Sequence, residues 1–175
     1  MKNITDYLKP AQVQAIEDYA RAYSERDFLI IRVLYRTGVR VSELVNIRPK
    51  DIEAHNQVIN IVKAKGTKQR RVYLDTETLR VLADYISDTK TPNDGPVFGL
   101  QRVQIFNIVK KYGRIMGLDV HPHTLRHSYA INWVRQNQDI RRLQLVLGHS
   151  NLNTTQTYLQ FRDDDIKEIY NKLEF

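Results

Sequence analysis

The sequence contains no cysteine among its 175 residues, and it has no apolar run long enough to cross a bilayer. Without thiols the chain has no disulfide framework and no thiolate metal site, so we predict a reducing, cytoplasmic setting. A spanning helix needs ~20 apolar residues, and no membrane partner is therefore expected. The first residues carry no apolar signal core. These absences exclude disulfide-rich secreted scaffolds and membrane-spanning proteins.

Positive charge is what the sequence has in excess. It contains 27 Lys and Arg against 20 Asp and Glu, which gives a formal net charge of +7. Such an excess favours a polyanionic partner, with nucleic acid as the first candidate. The 42% share of hydrophobic residues is sufficient for a core, and the length is typical of one domain. A basic helical scaffold that binds other proteins is an alternative reading of the same composition.

Hydrophobic periodicity predicts that most of the chain is helical. Apolar residues recur at three- and four-residue spacing, with Ser24, Asp75 and Asp139 as expected N-caps and Gly38 and Gly148 as expected ends. The predicted helices cover residues 11–23, 25–37, 42–48, 76–88, 103–116, 124–136, 140–147 and 163–173.

The period changes between residues 51 and 74. Residues 57–62 and 71–74 are dense in Ile and Val and are predicted to be strands. Between them lies a basic hairpin tip with Gly66 at the turn. We therefore predict a mainly α fold with a small antiparallel β-sheet of at most three strands (α+β), forming a single domain over residues 1–175.

The stretch from His121 to Tyr158 carries the residues best suited to phosphate chemistry. Arg126 has the planar fork that donates two parallel hydrogen bonds to a phosphate, and His123 lies three positions before it. Tyr158 follows His149 by nine positions in a polar segment, and a phenol can act as a covalent nucleophile when it is helped to ionise.

The histidines of this stretch also admit other readings. His121, His123 and His127 cluster in the sequence, but the chain lacks cysteine and an H-E-x-x-H spacing, so we expect no metal. We interpret His127 as a structural or buried histidine. Any one tyrosine among ten is more often a packing residue, and His149 after Gly148 can equally satisfy helix-end carbonyls.

Two further cationic positions precede this stretch. Arg40 follows the Gly38 corner and is either an active-site cation or a surface arginine paired with Glu43. Lys65 stands just before the hairpin glycine and is our candidate proton donor. The remaining hairpin cations are expected to contact DNA backbone without taking part in chemistry, and these are Lys63, Lys68, Arg70 and Arg71.

In this order and spacing, the motifs resemble those of the tyrosine recombinases, also called phage integrases, which include the Xer proteins. The resemblance runs from about residue 10 to residue 162. The motifs that carry it are Thr37-Gly38-Val39-Arg40-Val41-Ser42-Glu43-Leu44, Lys65-Gly66, His123-Thr124-Leu125-Arg126-His127, Leu147-Gly148-His149-Ser150 and Tyr158.

The resemblance implies a role for each matching residue. Arg40 and Arg126 would clamp the phosphate, Lys65 would be the hairpin lysine, and Tyr158 would be the nucleophile. The two family histidines would be His123 and His149, and Glu43 would support the first arginine.

The same resemblance implies that the protein cleaves and rejoins double-stranded DNA through a 3′-phosphotyrosine, without metal or cofactor, as a DNA-assembled homotetramer. Residues 163–175 would dock on a neighbouring subunit or pack on their own domain. Family members usually carry an additional N-terminal helical domain, whereas this sequence starts at about the boundary of the catalytic domain. We therefore expect either a fragment of a longer protein or a natural short form with a weaker grip on DNA. Two alternatives stay open: a type IB topoisomerase-like relaxer and a non-catalytic DNA-binding protein.

Overall fold

Helix α2 (Glu25–Thr37) forms the centre of the fold. Ser24 caps it by accepting a hydrogen bond from the Asp27 N–H at 3.3 Å, and Gly38 ends it in the left-handed conformation at φ 62°. It packs against α1 (Pro10–Tyr23), α4 (Thr76–Asp88) and α6 (Pro122–Arg135). Its buried apolar side chains are Phe28, Leu29, Ile30, Ile31, Val33, Leu34 and Tyr35.

The computed structural model describes residues 7–62, 69–136, 139–148 and 158. The remaining elements of the described chain are the helices α3 (Val41–Leu44), α5 (Arg102–Ile115) and α7 (Ile140–Leu147), the strands β1 (Ile52–Glu53), β2 (Val58–Ile61) and β3 (Arg70–Tyr73), and the short 3₁₀ turns Pro49–Asp51 and Ala54–Asn56. In this part of the chain, no helix combines the length and apolar character that crossing a membrane requires.

The three strands form one antiparallel sheet in the order β1-β2-β3. Ile59 of β2 lies opposite Val72 of β3, and both side chains are buried. Strand β3 contacts both α2 and α7. The sheet therefore brings Arg70, at the start of β3, close to the end of α7.

The mainly α fold with a small antiparallel sheet is confirmed. Most predicted helices begin and end within two residues of the observed ones, and the caps at Asp75 and Asp139 are present. The third helix is shorter than predicted, since it ends at Leu44. The predicted helix 163–173 and most of the hairpin tip lie outside the described residues.

Candidate active site

Arg126, on α6, joins the ends of two other helices. Its Nη1 donates a hydrogen bond to the Gly38 carbonyl that follows α2, and its Nη2 donates to the Leu147 carbonyl of α7 at 2.9 Å. Helix C-termini leave carbonyls without partners inside the helix and carry partial negative charge, so a buried cation stabilises both ends. The side chain is consequently buried, with 5% of the residue exposed.

Burial and crowding make Arg126 an unusual cation. Burial lowers its pKa to about 10, and the positive charges of Arg40 and Arg70 act in the same direction. The guanidinium still carries its proton at neutral pH, but in surroundings that disfavour the charge. An anion placed beside it would relieve that cost, which is the electrostatic property expected of a phosphate site.

Arg40 lies at the N-cap of α3, where the Glu43 carboxylate binds its backbone N–H. Its backbone N–H donates to Glu43 Oε2 at 2.7 Å, and its Nη1 lies 3.4 Å from Glu43 Oε1. The Glu43 side chain is 1% exposed, whereas that of Arg40 is 36% exposed. A buried carboxylate therefore anchors an arginine whose side chain remains accessible to a ligand.

Arg70, which the sequence led us to expect at the DNA backbone, has a side chain that lies in the interior of the structure. Its Nη1 and Nη2 donate to the two oxygens of Glu43 at 2.6 and 2.8 Å, and its Nε donates to the Val146 carbonyl at 2.6 Å. Its side chain is 7% exposed. Strand alternation contained this signal, because Arg70 shares a face with the buried Val72.

The neighbouring Arg71 points to the opposite face of β3. Its side chain is 52% exposed and lies 3.2 Å from Glu53, as a surface ion pair. Lys63, Lys65, Lys68 and His149 lie outside the described residues.

Tyr158 is buried against α6 and α7, with its hydroxyl in contact with His127. The phenol oxygen lies 2.9 Å from His127 Nδ1, and the two rings meet edge-on at 5.0 Å between centroids. Tyr158 belongs to a small apolar cluster that includes Ile131 and Leu143. The sequence interpretation of His127 as a structural histidine missed this contact.

The pKa values of this pair shift in complementary directions. Burial raises the pKa of Tyr158, while the charge of Arg126 pulls it down. Burial, followed by the charges of His123 and Arg126, lowers the pKa of His127 below its ordinary 6.5. A protonated phenol therefore faces a neutral imidazole, an arrangement suited to proton transfer.

The three histidines of α6 and its cap form a row of rings that ends at Tyr158. Centroid distances are 6.3 Å from His121 to His123 and 5.5 Å from His123 to His127, with nearly parallel planes. His123 thus approaches His127, while Arg126 points inward between helix ends. Within the described ranges, no three His, Asp or Glu side chains are grouped to hold a metal ion.

Residues 6–164 of the chain match the phage integrase family. The chain belongs to the phage integrase family. Among curated members of this family, it is 36% identical to a tyrosine recombinase of Pseudothermotoga lettingae, over 98% of this chain and 62% of that protein. It is 34% identical to tyrosine recombinase XerA of Saccharolobus solfataricus, over 84% of this chain and 50% of that protein.

Solved structures of phage integrase family members share the fold. A crystal structure of XerA recombinase aligns with a TM-score of 0.82 at 29% identity, covering 97% of this chain and 64% of that one. XerH recombinase bound to its difH substrate in a pre-cleavage complex aligns with a TM-score of 0.77 at 24% identity, over 94% and 53%. The chain spans between 50% and 64% of the length of these family members.

Proposed function

We propose that this chain is the catalytic domain of a cytoplasmic, site-specific DNA recombinase that works through a covalent 3′-phosphotyrosine. The observation that carries the proposal is the contact between the Tyr158 hydroxyl and a neutral His127, within the electrostatic reach of Arg126. Membership of the phage integrase family and relatives named tyrosine recombinases support the same chemistry.

The cleavage step balances without an added reactant. The Tyr158 oxygen attacks a backbone phosphorus, the bond from phosphorus to O5′ breaks, and the phenol proton passes to His127 Nδ1. The leaving oxygen takes a proton, for which Lys65 is our candidate donor, and becomes a 5′-hydroxyl. Because the phosphodiester energy stays in the protein–DNA bond, a 5′-hydroxyl can reverse the step without a nucleotide cofactor.

The geometry supports His127 as the acceptor of the phenol proton, because His127 contacts the phenol and His123 lies behind it. His123 is exposed beside His127, so the proton would reach solvent on this side of the site. Arg40, Arg126 and His149 would hold the phosphate oxygens as charge develops in the transition state. Removal of one such donor typically costs about 10²–10³ in rate.

The expected partner is double-stranded DNA, bound by the excess positive charge, with Lys63, Lys68 and Arg71 contacting its backbone. Exchange of strands between two duplexes needs four active sites, so we propose a homotetramer assembled on DNA. Residues 163–175 would supply a docking segment for a neighbouring subunit. XerH site-specific recombinase, a structural neighbour, was solved bound to its difH substrate.

The decisive experiment is trapping of the covalent adduct with a nicked suicide DNA substrate. Tyr158→Phe should bind DNA as the wild type does and form no adduct. Tyr112→Phe is the matched control, since it removes another buried phenol, whose hydroxyl donates to Asp27 at 3.1 Å, and it should retain the adduct. An adduct formed by the Tyr158→Phe protein would disprove the assignment of the nucleophile.

The role of His127 has its own test in the same assay. His127→Phe keeps a ring against Tyr158 but removes the acceptor, and the adduct should form about 10²–10⁴ more slowly. The wild-type rate should rise with pH through a pKa below 6.5 and then stay level. A wild-type rate in the His127→Phe protein would assign the proton to another group.

A further inference from the structure

Arg70 connects two further elements around the site, although we did not expect it to bind the reacting phosphate. Its fork binds both oxygens of Glu43 on α3, and its Nε binds the Val146 carbonyl on α7. A Cβ added to Gly148 would lie 3.0 Å from Arg70 Cδ, so the side chain also lies directly against the end of α7. One guanidinium therefore connects β3, α3 and α7.

We call the contacts of Arg70 with Glu43 and Val146 the joint, and the geometry of these contacts requires arginine. The two parallel donors of the fork match a carboxylate, while Nε points along the edge of the guanidinium and reaches a separate carbonyl. Lysine offers a single ammonium on a flexible stem and does not reproduce both contacts at fixed geometry. Strand alternation directs the side chain inward beside Val72, whereas Arg71 faces outward.

Each contact of Arg70 adjoins a residue of the proposed active site. Glu43 also binds the backbone N–H of Arg40, which fixes the start of α3. The Val146 carbonyl precedes the Leu147 carbonyl, which accepts from Arg126. In the sequence, His149 follows directly after Gly148, and the hairpin segment with Lys65 leads directly into β3.

We propose that Arg70 is a positioning residue for strand cleavage, which fixes the Arg40–Glu43 pair, the end of α7 and the base of the hairpin relative to one another. It acts through these groups and does not contact DNA. The inference rests on the proposed cleavage activity for its catalytic consequence, but the joint itself is a property of the free protein.

Two substitutions test the joint, with a control of similar burial. Arg70→Met removes all three donors, and Arg70→Lys keeps the charge in a variant that is easier to fold. Arg32→Met is the control. Arg32 is similarly buried, with a side-chain exposure of 8%, and its guanidinium binds buried Glu17 at 3.1 Å and the Thr78 hydroxyl. It lies in the region of α1, α2 and α4 and not beside the candidate active site. Folded fractions are measured by circular dichroism.

The first measurement is single-turnover adduct formation at saturating DNA, divided by the folded fraction. Both Arg70 variants should lose about 10² in rate while DNA affinity stays close to wild type, because a displacement near 1 Å has that cost in a positioned site. Arg32→Met should cleave at the wild-type rate. If the Arg70 variants cleave at the wild-type rate at saturating DNA but bind DNA more weakly, Arg70 is a DNA contact and the proposal is wrong.

The second measurement is hydrogen exchange of the α7 segment in the protein without DNA. Amides of residues 143–148 should exchange faster in Arg70→Met than in wild type and should be unchanged in Arg32→Met. If the amides of residues 143–148 exchange at the wild-type rate in Arg70→Met, Arg70 does not hold α7 and the proposal is wrong. If the wild-type protein forms no adduct, the proposed function fails, and the exchange comparison still decides whether Arg70 holds α7.

Discussion

Among the residues that the structure describes, two arginine–glutamate pairs are buried, one beside the candidate active site and one in the region of α1, α2 and α4. In the first, Arg70 binds Glu43, whose side chain is 1% exposed. In the second, Arg32 binds Glu17 at 3.1 Å, and the Glu17 side chain is fully buried. The residue types and the burial are the same, and the hydrogen bonding of the two carboxylates is different.

Each oxygen of Glu43 accepts one bond from Arg70 and one from Arg40. Glu17 uses Oε2 for Arg32, and its Oε1 has no hydrogen-bond partner in the described part of the chain. Burial raises the pKa of Glu17, and the nearby arginines only partly oppose it. Burial acts the same way on Glu43, but its hydrogen bonds from arginine outweigh burial and lower the pKa.

The difference is that both carboxylate oxygens of Glu43 are hydrogen-bonded, whereas only one oxygen of Glu17 is. A carboxylate with both oxygens satisfied can fix several cations in a crowded positive region, which a phosphate site requires. A carboxylate with one unsatisfied oxygen stabilises little, because the cost of desolvation remains. We therefore expect the two pairs to respond differently to the same kinds of substitution.

The largest effect is expected from Glu43→Ala. It leaves buried Arg70 without its carboxylate, and removal of one partner of a buried pair costs about 3–5 kcal/mol of unfolding free energy. Cleavage per folded molecule should fall as well, since Arg40 loses its anchor. Urea unfolding and adduct trapping measure the two effects. A stability loss below that of Glu17→Ala would contradict the comparison.

Gly38→Ala should have the next largest effect, with Gly99→Ala as its control. Both glycines have left-handed φ, 62° and 58°, so the backbone strain of alanine is similar at the two positions. An added Cβ at Gly38 would lie 2.7 Å from Tyr129 Cδ1, whereas at Gly99 it meets nothing within 4 Å. Overpacking should make Gly38→Ala about 1–3 kcal/mol more destabilising in paired unfolding experiments. Equal losses would show that the fold adapts around the Gly38 carbonyl that accepts from Arg126.

Glu17→Gln and Glu43→Gln should change the pH dependence of stability in opposite senses. A raised folded pKa means that Glu17 stabilises the fold below its ordinary pKa of 4.5 and that this contribution is lost as pH rises through the folded pKa. The Glu17→Gln protein should therefore improve relative to wild type between pH 4.5 and 7, within about 1 kcal/mol.

For Glu43 the sign is reversed. Its lowered pKa gives stability that is present above 4.5 and is lost as pH falls through the folded pKa. The Glu43→Gln defect should therefore shrink below pH 4.5. Urea unfolding across pH 3.5–7 tests both curves, and parallel curves for the two variants would refute the difference.

Arg80→Met should have the smallest effect. Arg80 forms an exposed i,i+4 pair with Asp84 at 3.2 Å on α4, with 66% of its side chain accessible. Such pairs contribute about 0.3–0.5 kcal/mol and weaken with salt. Thermal unfolding at low and high ionic strength measures this value. A loss as large as that of Glu43→Ala would mean that an exposed pair stabilises this protein as much as buried Glu43 does.

Local signals predicted the parts of the site that depend on neighbouring residues. The Gly38 corner, the Asp139 cap and the position of Arg126 on a helix all follow from interactions within a few residues. The contact of His127 with Tyr158 spans 31 positions, and no local pattern indicated it. The inward direction of Arg70 was readable from strand alternation, but its partner was not.

The sequence by itself determined where most of the described helices start and stop, the mainly α class and the set of residue types able to bind a phosphate. Capping, glycine conformation and hydrophobic period act over about four residues, so they can be recognised in a single amino-acid sequence. Only the tertiary structure decided which groups the buried arginines bind. The bonds of Arg70 to Glu43 and Val146 span 27 and 76 positions, and those of Arg126 span 21 and 88. Such contacts form because packing brings helix ends and a buried carboxylate together, and each buried polar group then requires a partner.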